Sequence, residues 1–264
     1  MTSLEPSIRI NVDVTNPGQF FACCGLLELA DRLWPGAEGW FQEQIFCLAS
    51  QGRLPQIIKE LKESELFIST KEGEPSIHPA KLEKFNLKLN WWIRDDWPRF
   101  KERPKKDRVG LMKTNLKFWA GNQSSGLILR NLQKAMRLPT SHHEADYFEP
   151  TEFISSRFGI DAGPAWTALD VGFSINEHPN VSVKASAAVE LLAAIGLQRC
   201  RPIIHSIGID YSTWSIPLSP AVVPAAICGE IMGVSCRTYR SRIIDRGSYA
   251  AVSHSFPLRG DSYA

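Results

Sequence analysis

The chain has 264 residues, 44% of them hydrophobic and 22% charged, with a formal net charge of +2. That length buries a sizeable core as one large domain or two small ones, and so small a net charge excludes neither nucleic acid nor protein partners, because the charge is unevenly spread. No apolar run reaches transmembrane length and the N-terminus lacks a basic-then-apolar signal pattern, so a soluble, cytoplasmic protein without membrane partners is expected. The six cysteines, Cys23, Cys24, Cys47, Cys200, Cys228 and Cys236, form no C-x-x-C pair and sit mostly in apolar company. That fits buried thiols in a reducing compartment better than disulfides or structural zinc, and neither a metal nor another cofactor is expected.

Ile8, Ile10, Val12 and Val14 alternate with Arg9, Asn11 and Asp13, which predicts a strand with one buried face. Thr15-Asn16-Pro17 ends it and starts a helix, with Asn16 as cap and Pro17 at the first helical position. Phe20, Phe21, Cys24, Leu27 and Leu29 continue at roughly helical spacing until Pro35-Gly36. So apolar a helix is expected to be buried on more than one side. Ile45–Ala49 reads as a short strand, Leu54–Leu61 as an amphipathic helix and Leu66–Ser69 as another strand. The succession strand–helix–strand–helix–strand predicts an α+β fold with a ferredoxin-like N-terminal part and a mixed or antiparallel sheet. Phe85–Trp92 alternates cleanly and predicts a strand with Trp92 exposed on its polar face.

Arg94–Lys117 holds nine Lys or Arg against four acids, a local balance of about +5. Pro98 and Pro104 break any regular element, so this is expected to be a long basic loop. Asn122-Gln123-Ser124-Ser125 then reads as the entry to a helix from about Gly126 to Leu138. Pro139–Pro150 is a polar loop and a possible seam, which suggests regions 1–140 and 141–264, or a single domain. Further on, Trp166–Phe173 is a strand candidate, Ala185–Leu197 a strongly apolar helix, Tyr211–Pro217 a strand and Pro220–Met232 a short helix. Arg237–Ile244 and Ser248–Ser255 flank Asp245-Arg246-Gly247 as a hairpin.

Clustered Lys and Arg neutralise phosphates, so Arg99, Lys101, Arg103, Lys105, Lys106, Arg108, Lys113 and Lys117 are candidate nucleic-acid contacts. Trp91, Trp92, Trp97, Phe100, Phe118 and Trp119 lie among or beside them and are candidates for stacking on bases. A solvated loop with core aromatics at its ends reads the same residues equally well. Arg237, Arg240 and Arg242 form a second basic group, and their presence favours nucleic acid. Asn122, Gln123 and Ser124 either cap the helix or touch phosphate and base edges. His142, His143, Glu144 and Asp146 lack metal-site spacing and read better as a solvated loop. No phosphate-binding loop, dinucleotide fingerprint or nucleophile elbow occurs, and nothing in the spacing of Asp161, Asp170 and Asp210 shows that they meet. A non-enzymatic protein is expected.

Three segments together carry a resemblance: VDVTNPGQFFACCGLLELADRLWPGAEGWF at Val12–Phe41, ALDVGFSINE at Ala168–Glu177, and AVELLAAIGLQRCRP at Ala188–Pro202. In that order they resemble the small Csb-type proteins of type I-G (formerly I-U) CRISPR–Cas systems, classed there as the Cascade large-subunit equivalent. The resemblance implies a non-catalytic subunit that binds target double-stranded DNA, reads the protospacer-adjacent motif, and supports R-loop formation and recruitment of the Cas3 nuclease–helicase. Its implied partners are the other Cascade subunits and the guide RNA, which supplies the remaining sequence specificity. No contact residue carries over from the family. On the reading of the residues themselves, the basic loop and GNQSS would touch DNA and the arginine hairpin would hold a strand. A structural, guide-RNA-binding subunit and a metal-dependent nuclease are the alternatives.

Overall fold

The computed structural model describes residues 5–69, 77–93, 114–119, 123–136, 147–149, 152–154, 156–164, 184–232, 234, 236–245 and 250–258. In β1 (Ile8–Asn11) Ile8 and Ile10 are buried while Arg9 and Asn11 are exposed. The strand stops short of Val14 because the chain turns at Asp13, whose Oδ1 accepts hydrogen bonds from the Thr15 backbone N–H at 2.9 Å and the Thr15 hydroxyl at 2.6 Å. Asn16 then caps α1 (Pro17–Leu33), its side-chain oxygen accepting from Gly18 N at 2.9 Å, with Pro17 opening the helix. Gln19 reaches back and accepts from Asp13 N at 2.7 Å, so its polarity serves the helix entry in the manner of a capping box.

The sequence pattern does not announce β2 (Glu38–Gln42). It pairs antiparallel with β3 (Ile45–Ala49), which pairs antiparallel with β1, giving the order β1-β3-β2. The turn residue Glu43 takes φ 54°, at a position where glycine or asparagine usually signals a hairpin. With α2 (Leu54–Glu63) these elements follow the succession of a ferredoxin-like unit. The next strand leaves that scheme. β4 (Leu66–Ile68) pairs with β5 (Ala80–Leu82), and β5 with β6 (Leu87–Leu89), in a separate antiparallel sheet. The fold is therefore α+β, and the first sheet does not gain a fourth ferredoxin-like strand from β4.

The expected strand over Phe85–Trp92 is shorter, and Trp92 is buried rather than exposed. The alternation fails at both ends because the chain turns there: Asn86 adopts φ 45°, and Asn90 N and Trp91 N both donate to Gln198 Oε1. Both indoles swing inward and pack with Trp119 and Phe158. Trp91 Nε1 donates to Ala194 O at 2.8 Å and Trp92 Nε1 to His78 O at 3.1 Å, which satisfies the polar edge of each buried ring.

Helix α3 (Ser125–Ala135) lies next, and its Gln133 donates to Leu61 O and Ser64 O at the end of α2. β7 (Glu152–Phe153) pairs with β8 (Lys184–Ala185). Helix α4 (Ala187–Arg199) is capped by Ser186, whose hydroxyl accepts from Val189 N at 3.1 Å, and it is buried from Ala187 to Leu197.

The two most apolar helices, α1 and α4, pack against each other through backbone rather than side chains. A Cβ on Gly25 would fall 2.0 Å from Leu192 O, and one on Gly196 would fall 2.1 Å from Phe21 O. Only glycine permits that approach. At the end of the crossing the buried Glu28 accepts from Arg32 Nε and Arg199 Nε, each at 2.7 Å. Its charge is thus answered from both helices.

Strands β9 (Ile203–Ile204), β10 (Gly208–Trp214), β11 (Cys236–Asp245) and β12 (Ala250–Val252) form one antiparallel sheet in the order β12-β11-β10-β9, and β13 (Phe256–Pro257) also pairs with β11. A short helix, α5 (Val223–Ile227), packs against β10. Tyr211 of β10 lies 4.4 Å from Phe20 ring to ring and donates to Val14 O at 2.9 Å. Trp214 Nε1 donates to Gly39 O at 2.7 Å, and Gly39 bridges to Leu218. Bonds of this kind run between the parts of the chain before and after residue 140.

Gly25→Ala and Gly196→Ala test the crossing. Alanine gains about 1 kcal/mol in helix propensity, but a methyl driven into a fixed backbone costs about 3 kcal/mol. Each variant is expected to lower the urea midpoint by the equivalent of about 2 kcal/mol. An unchanged midpoint would contradict the close approach.

Candidate nucleic-acid interface

β11 runs in unbroken register against β10 from Cys236↔Trp214 to Arg242↔Gly208. Side chains in a strand alternate, so Tyr239 and Ser241 face the core while Thr238, Arg240 and Arg242 face away. The three candidate arginines therefore do not form one cluster. Arg237 lies on the Tyr239 side, exposed at the start of the strand, with its guanidinium carbon 5.9 Å from the Tyr239 ring centroid. Arg240 is committed to Asp210 by a two-pronged ion pair, Nε to Oδ1 at 2.7 Å and Nη2 to Oδ2 at 2.6 Å. His205 Nε2 meets the same carboxylate at 2.8 Å. Partial burial pushes the Asp210 pKa up, but the hydrogen bonds from Arg240 and His205 outweigh it and hold the carboxyl below its ordinary value. Arg242 is exposed, its guanidinium carbon 5.9 Å from the Phe256 ring centroid. Among the described residues no carboxylate pairs with Arg237 or Arg242.

Arg99, Lys101, Arg103, Lys105, Lys106, Arg108, Lys113 and Asn122 lie outside the described residues, as do Trp97 and Phe100. Hydrogen bonds hold the residues on either side of the basic segment. Thr114 N donates to Trp92 O at 3.1 Å, beside Ile93 where the segment departs, and Ala250 N donates to Phe118 O at 2.8 Å. The second bond joins the return of the basic segment to the first residue of β12, across the hairpin from β11. Lys117 donates to Trp119 O at 2.6 Å and lies 4.7 Å from that ring's centroid.

Stacking of bases on Trp91, Trp92, Phe118 and Trp119 is not possible as they stand, since all four are buried. An aromatic pair flanking a charged loop reads alike whether it anchors the loop or serves a ligand, and here it anchors. Ser124 caps α3, its hydroxyl accepting from Leu127 N at 3.1 Å, and Ser125 Oγ accepts from His78 N at 2.8 Å. The helix begins one residue before the expected Gly126 and ends at Ala135 rather than Leu138. Gln123 stands half-buried ahead of the cap.

Sequence patterning does not reveal a buried polar knot formed around Glu190 and Asp161. Glu190 Oε2 accepts from Phe158 N at 3.0 Å and Gly159 N at 3.1 Å, and Oε1 accepts from Asp161 N at 3.2 Å. Asp161 in turn accepts from Asn16 Nδ2 at 2.7 Å and Gly163 N at 3.1 Å, while Asn16 Oδ1 also accepts from Ala162 N at 3.0 Å. Burial pushes the Glu190 carboxyl up to about 7, against the Arg157 charge and the backbone hydrogen bonds. Burial raises Asp161 as well. Asp161 and Asp210 thus belong to different networks, one internal and one on the outer sheet face. Among the described residues no three His, Cys, Asp or Glu side chains converge as a metal site; the His142–Asp146 group and Asp170 lie outside them. Cys23 and Cys24 are buried, and burial pushes both thiols well up, which suits packing rather than nucleophilic chemistry.

Against this geometry, comparison with protein-family models, curated proteins and solved structures finds no match.

The knot makes stability depend on pH. Folded Glu190 keeps its proton up to about pH 7, whereas an unfolded glutamate releases it near its ordinary value of 4.5. The folded state thus binds more protons between these values, and the contribution is fully present below pH 4.5 and lost as pH rises through 7. His254, raised by its hydrogen bond to Asp13, acts in the same direction; Asp13, held at about 2, does not titrate in this window. The protein is expected to be about 2 kcal/mol less stable at pH 8 than at pH 5.5 through Glu190 alone. Thermal melts of Glu190→Gln should show a smaller difference between the two pH values.

Proposed function

We propose that the chain is a non-catalytic, nucleic-acid-binding subunit of a type I CRISPR surveillance complex, the large-subunit equivalent of a type I-G Cascade. In this role it binds target duplex DNA beside the protospacer-adjacent motif, supports R-loop formation and helps to place the Cas3 nuclease–helicase, with the other Cascade subunits and the guide RNA as its partners. The observation that carries the reading is the Ala250–Phe118 hydrogen bond. It ties Phe118, at the return of the basic segment 94–117, to the end of the hairpin near which Arg242 stands exposed on β11, so positive charge from two distant parts of the sequence is attached to one edge of the sheet. Such convergence suits a phosphate backbone, which is contacted at many points and releases counterions as it is neutralised. Two of the three segments that carry the resemblance supply α1 and α4, and these helices meet at Gly25 and Gly196.

Reversal of charge at Lys101, Arg103, Lys105 and Lys106 is expected to weaken target binding by the reconstituted complex. It should also flatten the salt dependence by about 0.9 in slope per lost phosphate contact. Full binding by the reversed protein would remove the basic segment from the interface. Omitting the subunit across a set of flanking motifs should abolish the preference among them; a complex that discriminates equally well without it would sink the assignment.

A further inference from the structure

The outward face of the C-terminal sheet carries a row of side chains across four strands. Ile203 on β9 lies opposite Asp210 on β10, Asp210 opposite Arg240 on β11, and Arg240 opposite Phe256 on β13. Directly opposed residues share a face, so the four stand side by side. The two ends of the row are open, with Ile203 41% and Phe256 43% exposed. In the middle, the Arg240 charge is answered by Asp210. Arg242, two residues along β11 from Arg240, sits on the same face with its guanidinium toward the Phe256 ring and no carboxylate partner among the described residues. The face therefore offers a flat apolar ring with a planar cation near it, while further in Arg240 and Asp210 already answer each other and leave Arg242 as the cation available to a phosphate.

A ring and a guanidinium at one exposed spot suit a nucleotide whose base is free to stack and whose phosphate lies alongside. Bases in a duplex are already stacked on each other, so an unpaired strand is the form that gains from the ring. Building on the nucleic-acid reading above, we infer that this sheet face binds single-stranded nucleic acid, with a base stacked on Phe256 and the neighbouring phosphate held by Arg242. The strand runs along the Arg242–Phe256 side, where the cation is not already committed to Asp210.

The test uses the full chain and fluorescence anisotropy with labelled oligouridine, oligothymidine and a duplex of the same length. Phe256→Leu keeps the apolar bulk and removes the ring; Phe256→Tyr keeps the ring. The leucine variant is expected to bind single strands about tenfold more weakly, with the tyrosine variant close to wild type and duplex binding by both unchanged. Arg242→Gln is expected to lower the salt slope on single strands by about 0.7. Loss on oligouridine alone would assign an RNA strand, loss on oligothymidine alone a DNA strand, and loss on both a site indifferent to the sugar; each supports the inference. Wild-type affinity in Phe256→Leu overturns it. So does loss of self-association in sedimentation with oligonucleotide binding intact, which would give the face to a second copy of the chain. Charge reversal at Lys105 and Lys106, run in parallel, separates the two readings. If it weakens duplex binding while Phe256→Leu changes nothing, only the sheet-face site falls. If the wild-type chain binds no nucleic acid of any form, both fall.

Discussion

The fold depends on one close approach, the contact of α1 and α4 at Gly25 and Gly196. Because each glycine faces backbone of the other helix, the helices sit nearer than side chains would allow. Dispersion between the two surfaces is gained over every turn of the crossing. The aromatic layer of Phe20, Phe21, Tyr211 and Tyr239 packs from the side of the C-terminal sheet, and the box of Trp91, Trp92, Trp119 and Phe158 adjoins α4 through the bond from Trp91 to Ala194 O. The surface proposed to bind nucleic acid is thus the outer skin of a sheet whose inner face is fixed on α1.

The buried charges follow the same logic. Glu28 and Glu190 both lie in apolar helices, and each is met by a full set of donors: two arginines for the first and three backbone N–H groups for the second. A buried carboxylate without such partners would cost several kcal/mol. Glu190 holds the 158–161 segment onto α4, and Asp161 holds the same segment onto the cap of α1. The opening Asn-Pro-Gly-Gln run is therefore not a ligand loop. It is one wall of an internal seam, with Gly18 packed directly on the Asp161 backbone.

How much of this was legible in the sequence depended on how local the cause was. The α1 and α4 helices are readable because caps and apolar runs lie within or beside them, and the β11–β12 hairpin is readable from the Asp245-Arg246-Gly247 turn signal between its strands. β2 was missed because Glu43 makes its turn without a turn residue's signature. Alternation points Trp92 to the wrong side because the pattern stops where Gln198, distant in sequence, takes the Asn90 and Trp91 N–H groups and turns the chain. Glu190 gave no signal, since its partners are backbone groups of a distant segment. The separation of Arg237 from Arg240 and Arg242 was available from the period of two. Phe256 was not, because its strand is only two residues long and its importance comes from the neighbour across the sheet.

Helix α1 is finished by residue 33, but the helix that covers it ends at residue 199. At roughly 5–20 residues per second of synthesis, the nascent chain carries an apolar helix without its principal partner for roughly ten to thirty seconds. Throughout that interval the strands β1, β2 and β3 and helix α2 are at hand from nearby sequence, but the flank of α1 that carries Phe21 and Gly25 still lacks α4. An apolar surface left open for that long is prone to aggregate, so shielding of the nascent chain near the ribosome bears on how this protein reaches its fold.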